Sequence, residues 1–186
     1  PACSQSPQQD AAFSLVLAAD SASYPLAEAL LNAFETESPA SELSLRPANR
    51  FDAEDLLMSG SVDAVLLFHP LDDSTLFSTP IARDTVAIII NPRNSVDHLS
   101  LVEVQALLSG RLTRWDQVGG DETAVDVIIP PPAASERAAF AALAPGGLEV
   151  STAAEVGLSE EALTARISQA PGAIGIVAGS HALDDA

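Results

Sequence analysis

Lysine is absent from this chain, and eight arginines face 26 aspartates and glutamates, a formal charge of -18 at pH 7. A surface of that sign repels phosphodiester backbones and anionic headgroups, so nucleic acid and an anionic membrane surface are excluded as partners. The one cysteine, Cys3, excludes an intramolecular disulfide and a thiolate metal centre. No apolar run approaches the roughly 20 residues that a helix needs to cross a bilayer. Three histidines, no glycine-rich nucleotide loop and no nucleophile elbow leave no catalytic set, so neither an enzyme nor a cofactor or metal site is expected. What remains is ample apolar material: 47% of 186 residues, enough for one ordinary domain or two small lobes.

The clearest local signals lie between Thr85 and Gly110. Thr85 to Ile90 is a β-branched and apolar run, suited to a strand buried on both faces, and Asn91-Pro92 then signals a turn. Ser100 and Glu103 have capping-box spacing, with Leu99 and Val104 placed as the hydrophobic staple. Leu101, Val104, Leu107 and Leu108 form the apolar stripe of the helix that follows, and Gly110 is its expected C-terminal stop. Trp115, beside a Gly-Gly turn, reads as a packing anchor.

Elsewhere strands and helices alternate. Phe13 to Ala18 reads as a strand, Asp20 to Pro25 as a loop, and a helix follows through Phe34 whose core-facing stripe is Leu26, Leu30, Leu31 and Phe34. Strands are expected at Glu42 to Arg46, Val62 to Phe68, Val125 to Ile129 and within Pro171 to Val177. Helices are expected from Ala53 to Ser59, from about Ser135, and from Ser159 to Gln169. Such alternation predicts doubly wound, mostly parallel sheets, with ligands beyond the strand C-termini. On that reading the rim residues are Ser21 to Ser23, Asn49 to Arg50, and Phe68 to His69.

The words PIARDTVAIIINPRNSV and LSLVEVQALLSGRLTRWDQVGG, with a late PGAIGIV, resemble the phosphate-type periplasmic binding proteins, the substrate-binding subunits of phosphate ABC transporters. The resemblance spans residues 13 to 178 and implies an α/β fold of the type 2 periplasmic-binding-protein class. In it two small lobes, each a mostly parallel sheet flanked by helices, are joined by crossing strands. It further implies a flexible tether at 1-11, a first lobe at 12-92, a second at 93-172, and a shortened return toward the first lobe at 173-186. Cys3 resembles the lipidated first residue of a bacterial lipoprotein.

The candidate ligand residues are Ser21, Ala22, Ser23, Asn49, Phe68, His69, Ser135 and Arg137. The resemblance implies an anion loop matched by Ser21 and Ser23, and a clamp of which Ser135, with Arg137 one turn inside, keeps part. Asn49 and Phe68 come from the strand-end rim, and His69 is the nearest polar replacement there. The chain also departs from the family pattern. The family's Ser and Asp after the third strand become Leu67 and Phe68, while Asp63 matches an earlier, structural Asp. The Arg before Gly-Ser-Gly-Thr becomes one of Pro130 to Pro132, and Ala134, Ser135 and Glu136 stand at the Ser-Gly-Thr positions. Asp20 adds a carboxylate beside the first anion loop.

The resemblance therefore implies an extracytoplasmic solute-binding protein of an ABC importer. Its ligand is phosphate or another oxyanion, its partner a transporter permease, and its only link to the membrane a lipid anchor at Cys3. The departures leave an alternative, a domain of the same fold that has lost phosphate binding and serves another ligand or a protein partner.

Overall fold

The computed structural model describes residues 13-71 and 75-180. Cys3, the expected tether at 1-11, Asp72, Asp73 and the last six residues lie outside them. By contact density the chain divides into two compact units, with the break after Leu66.

The first unit is a three-stranded parallel sheet in the order β2-β1-β3, built from β1 (Ser14–Ala19), β2 (Glu42–Pro47) and β3 (Ala64–Leu66). Two helices connect them, α1 (Tyr24–Glu37) and α2 (Arg50–Met58). The connections cross the sheet in opposite directions, and right-handed crossovers then put the helices on opposite faces. β3 is shorter than the Val62 to Phe68 run suggests. Asp63, just before it, ties it to β1: Val16 N–H donates to Asp63 Oδ2 at 2.8 Å and Asp63 N–H to the Val16 carbonyl at 2.9 Å.

The expected stripe of α1 is corrected. Ala27 is fully buried, whereas Leu26, Leu30 and Phe34 are 38%, 44% and 37% exposed. A residue advances about 100° around a helix, so Ala27 and Leu31 share one direction and Leu26 and Leu30 lie to its side. The small Ala27 side chain lets the helix approach the sheet along that line. The larger residues are left lateral, with Phe34 edge-on to Phe13 at 5.6 Å between ring centroids.

The second unit holds a four-stranded mixed sheet in the order β4-β7-β5-β6, from β4 (Val86–Ile90), β5 (Asp126–Ile129), β6 (Glu155–Val156) and β7 (Ala173–Ala178). β4 pairs antiparallel with β7, so the run read as part of the first lobe and the run read as the return both belong to this sheet, and β7 is central in it. Side chains alternate as a strand requires. Ile88, Ile90, Val127, Ile129, Ile174 and Ile176 enter one cluster with Val104, Leu107 and Leu108 of α3 (Leu101–Leu108), Trp115, and Phe140 of α4 (Ser135–Leu143). Ala87, Ile89, Ile128, Ala173 and Val177 meet Leu163 and Ile167 of α5 (Glu160–Gln169) on the other face. Each fully buried isoleucine contributes about 1.5–3 kcal/mol by leaving water.

α3 forms as its sequence predicts. Ser100 N–H and Oγ–H each donate to Glu103 Oε2 at 2.7 Å, Glu103 N–H donates back to Ser100 Oγ at 3.3 Å, and Leu99 packs on the cluster holding Val104. Gly110 takes a left-handed φ of 76° just past Ser109. Trp115 is fully buried and its indole N–H donates to the Gly172 carbonyl at 2.9 Å, which makes it the anchor its position suggests.

Candidate functional site

In the first unit the strand register sets the rim. Ala19 aligns with both Pro47 and Leu66, so the loop from Asp20 to Ser23 and the turn at Ala48-Asn49 leave one edge of the sheet together. The Ala48 N–H donates to the Ala19 carbonyl at 2.8 Å and fixes that juxtaposition.

The α1 N-terminus is organised by Asp20. This carboxylate is 2% exposed, and its Oδ1 accepts the Ser23 N–H at 2.9 Å. Ser23 is the N-cap residue, but it lies in the helical region at φ -94° and makes no side-chain cap bond. Ser21 is exposed, and Ala22 and Ser23 are 8% and 7% exposed. An amide that an outside anion would require is thus already bonded within the chain. Asn49 is committed to α2 in the same way, its Oδ1 accepting from Phe51 N at 2.9 Å and Asp52 N at 3.1 Å.

In the second unit, Phe68 and His69 are half-buried in a turn. His69 Nδ1 lies 3.0 Å from the Pro70 carbonyl. A carbonyl only accepts, so Nδ1 is the donor in that contact.

Ser135 and Arg137 share the first turn of α4, which follows the C-terminal end of β5. Ser135 is 0% exposed and its Oγ has no hydrogen-bond partner. A buried hydroxyl left unbonded costs about 1–3 kcal/mol, and such sites persist where a partner arrives from outside. Arg137 donates from Nη1 to the Pro130 carbonyl at 3.3 Å, and burial draws its guanidinium below its ordinary pKa. Between them stands Glu136, 1% exposed. A carboxylate at this helix end is favoured by the dipole that would also attract a ligand anion. Its burial had no local signal, since it depends on the packing of α4 rather than on neighbours in sequence.

Among the described residues no group of three or more His, Cys, Asp or Glu side chains could hold a metal ion, and no helix is long and apolar enough to cross a membrane.

The chain matches the PBP superfamily domain over residues 4–186. The phosphate-binding protein PstS of Bacillus subtilis (strain 168) is 24% identical over 187 residues, covering 96% of this chain and 61% of that protein. The chain thus spans less than two thirds of that curated relative. Among solved structures, one described as a phosphate ABC transporter substrate-binding protein, from Clostridium perfringens with bound phosphate, superposes with a TM-score of 0.81 at 20% identity over 89% of this chain and 70% of that one. An ABC-type phosphate transport receptor from Vibrio cholerae gives 0.73 at 19% identity, over 88% and 70%. At these identities the structural likeness establishes the fold.

Proposed function

The chain belongs to the PBP superfamily, and from that premise we propose that it is the ligand-binding part of an extracytoplasmic solute-binding protein that delivers phosphate or a related oxyanion to an ABC transporter permease. The names of its relatives in Bacillus and Clostridium support this reading, as does the α/β architecture they share. The observation that carries it is Ser135, a fully buried hydroxyl without a partner on the first turn of α4, where an anion and a helix N-terminus suit each other. On this reading Ser135 Oγ–H donates to the oxyanion, with Arg137, Phe68 and His69 as the other candidate ligand positions of the second unit, and Ser21 to Ser23 and Asn49 are the candidate ligand positions of the first unit. Cys3 is the site of a lipid anchor, and the protein has no catalytic step.

The test is isothermal calorimetry with phosphate, sulfate and molybdate on the wild-type chain and on Ser135→Ala. A charge-assisted hydrogen bond contributes about 1.5–3 kcal/mol, so the variant binds roughly 10- to 150-fold more weakly. Equal affinities overturn the role given to Ser135.

A second reading is favoured by Asp20, whose carboxylate already holds the Ser23 amide. A domain whose own carboxylate occupies the α1 N-terminus has exchanged the phosphate site for another ligand or for a protein partner. It predicts no heat with any oxyanion, and a phosphate response gained in Asp20→Ser.

A further inference from the structure

The second unit carries a cavity of about 160 Å³ lined by Arg93, Asn94, Trp115, Asp121, Thr123 and Pro171. It lies at the end of the sheet away from Ser135. Arg93 and Asn94 follow the C-terminus of β4, while Asp121 and Thr123 precede β5 and Pro171 precedes β7. The pairing of Ile90 with Ile174 and of Asp126 with Ala173 brings those three loops to one edge, whereas Ser135 comes after the opposite end of β5.

The walls are fixed by the chain's own bonds. Asn91 Oδ1 accepts the Arg93 N–H at 2.9 Å, and the Asn91 carbonyl accepts the Asn94 N–H at 2.9 Å. The Trp115 N–H donates to the Thr123 carbonyl at 2.9 Å, and its indole N–H to Gly172 at 2.9 Å. Against this frame two groups stand uncommitted. Among the described residues neither the Arg93 guanidinium nor the Asp121 carboxylate makes a salt bridge or a side-chain hydrogen bond, either with the other or elsewhere. Opposite charges that share a cavity without neutralising each other fit a ligand carrying both signs.

We propose that this cavity binds a small zwitterion of the α-amino acid class, its carboxylate on Arg93 and its ammonium on Asp121. A planar guanidinium fork suits a carboxylate, and a carboxylate that only accepts suits an ammonium that only donates. Since a water occupies about 30 Å³ in the liquid, the cavity holds roughly five waters, room for a ligand of the size of glycine, alanine or serine.

Trp115 is the single tryptophan, and its buried ring backs the cavity wall with its indole N–H on the Gly172 carbonyl, so its fluorescence and its indole N–H resonance respond to changes in that wall when a ligand enters. The experiment titrates the full chain with glycine, alanine and serine, and separately with acetate, methylammonium and phosphate. Saturable changes in the Trp115 signals are expected with the amino acids, and at least tenfold weaker responses with acetate or methylammonium. Arg93→Gln and Asp121→Asn, both at exposed positions and both retaining the fold by circular dichroism, each weaken the amino-acid response at least tenfold. The proposal is overturned if no amino acid moves the Trp115 signals, if acetate or phosphate moves them as strongly as alanine, or if either variant binds alanine like wild type.

Discussion

Replacing Asn91 by alanine removes three hydrogen bonds at one buried position. The side chain is 1% exposed; its Nδ2 donates to the carbonyls of Ile167 at 2.8 Å and Ser168 at 2.9 Å, and its Oδ1 accepts from Arg93 N. Those two carbonyls belong to the last turn of α5, where no intrahelical amide is left to meet them. At about 1 kcal/mol net per bond, Asn91→Ala destabilises the second unit by about 3 kcal/mol. With a urea m-value of about 2 kcal/mol/M, the unfolding midpoint read by Trp115 fluorescence falls by about 1.5 M. Asn91→Asp keeps the acceptor for Arg93, but it loses both donors and sets a negative charge against the negative end of the α5 dipole. It is therefore the more damaging change at neutral pH. A midpoint shift under about 0.5 M for alanine, or a milder effect for aspartate than for alanine, refutes the account of Asn91 as the tie between β4 and α5.

Four further outcomes are expected. A Cβ on Gly172 would stand 1.9 Å from the Ala124 carbonyl oxygen, in a backbone held by Trp115 and by the Asp126 N–H, so Gly172→Ala costs about 3 kcal/mol in urea unfolding. Gly146→Ala, with φ of 82° and nothing within 4 Å, costs only the left-handed strain of about 1–2 kcal/mol. Ser100→Ala removes the α3 cap and lowers stability by about 1 kcal/mol at pH 7. The two bonds from Ser100 hold the Glu103 carboxyl below its ordinary pKa, so their contribution is present above the unfolded carboxyl pKa of about 4.3 and is lost as pH falls through the lower folded value. The gap between Ser100→Ala and wild type therefore narrows in acid, and a constant gap in urea midpoints across that range contradicts the assignment. Ser135→Ala leaves stability equal or higher, since the hydroxyl it deletes is unbonded, and a clear loss in thermal midpoint would show that Ser135 has a structural partner.

Elements decided by near neighbours along the chain are legible in the sequence itself. The α3 capping box needs only Ser100 and Glu103 three residues apart, and the stop at Gly110 only a glycine free to take a positive φ. Where the outcome depends on what lies across the fold, legibility falls. Four large apolar residues at helical spacing point a stripe of α1 at the core, yet the sheet selects the small Ala27 for close approach and leaves Leu26, Leu30 and Phe34 to the side. Asn91-Pro92 reads as a turn, and it is one, but its ties to Ile167 and Ser168 span more than seventy residues that no local pattern connects. At the candidate site Asp20 is visible as a carboxylate near the anion loop, whereas the burial of Glu136 and the unbonded state of Ser135 Oγ follow only from packing. Arg93 and Asp121 line one cavity because β4 and β5 flank β7, a pairing with no signature in either segment.

The most direct test of the receptor reading is equilibrium dialysis of the purified chain against radiolabelled phosphate. Saturable retention of one phosphate per chain, displaced by unlabelled phosphate, is the result the account predicts. Retention no greater than that of buffer alone, by protein whose Trp115 fluorescence is that of the folded state, contradicts it.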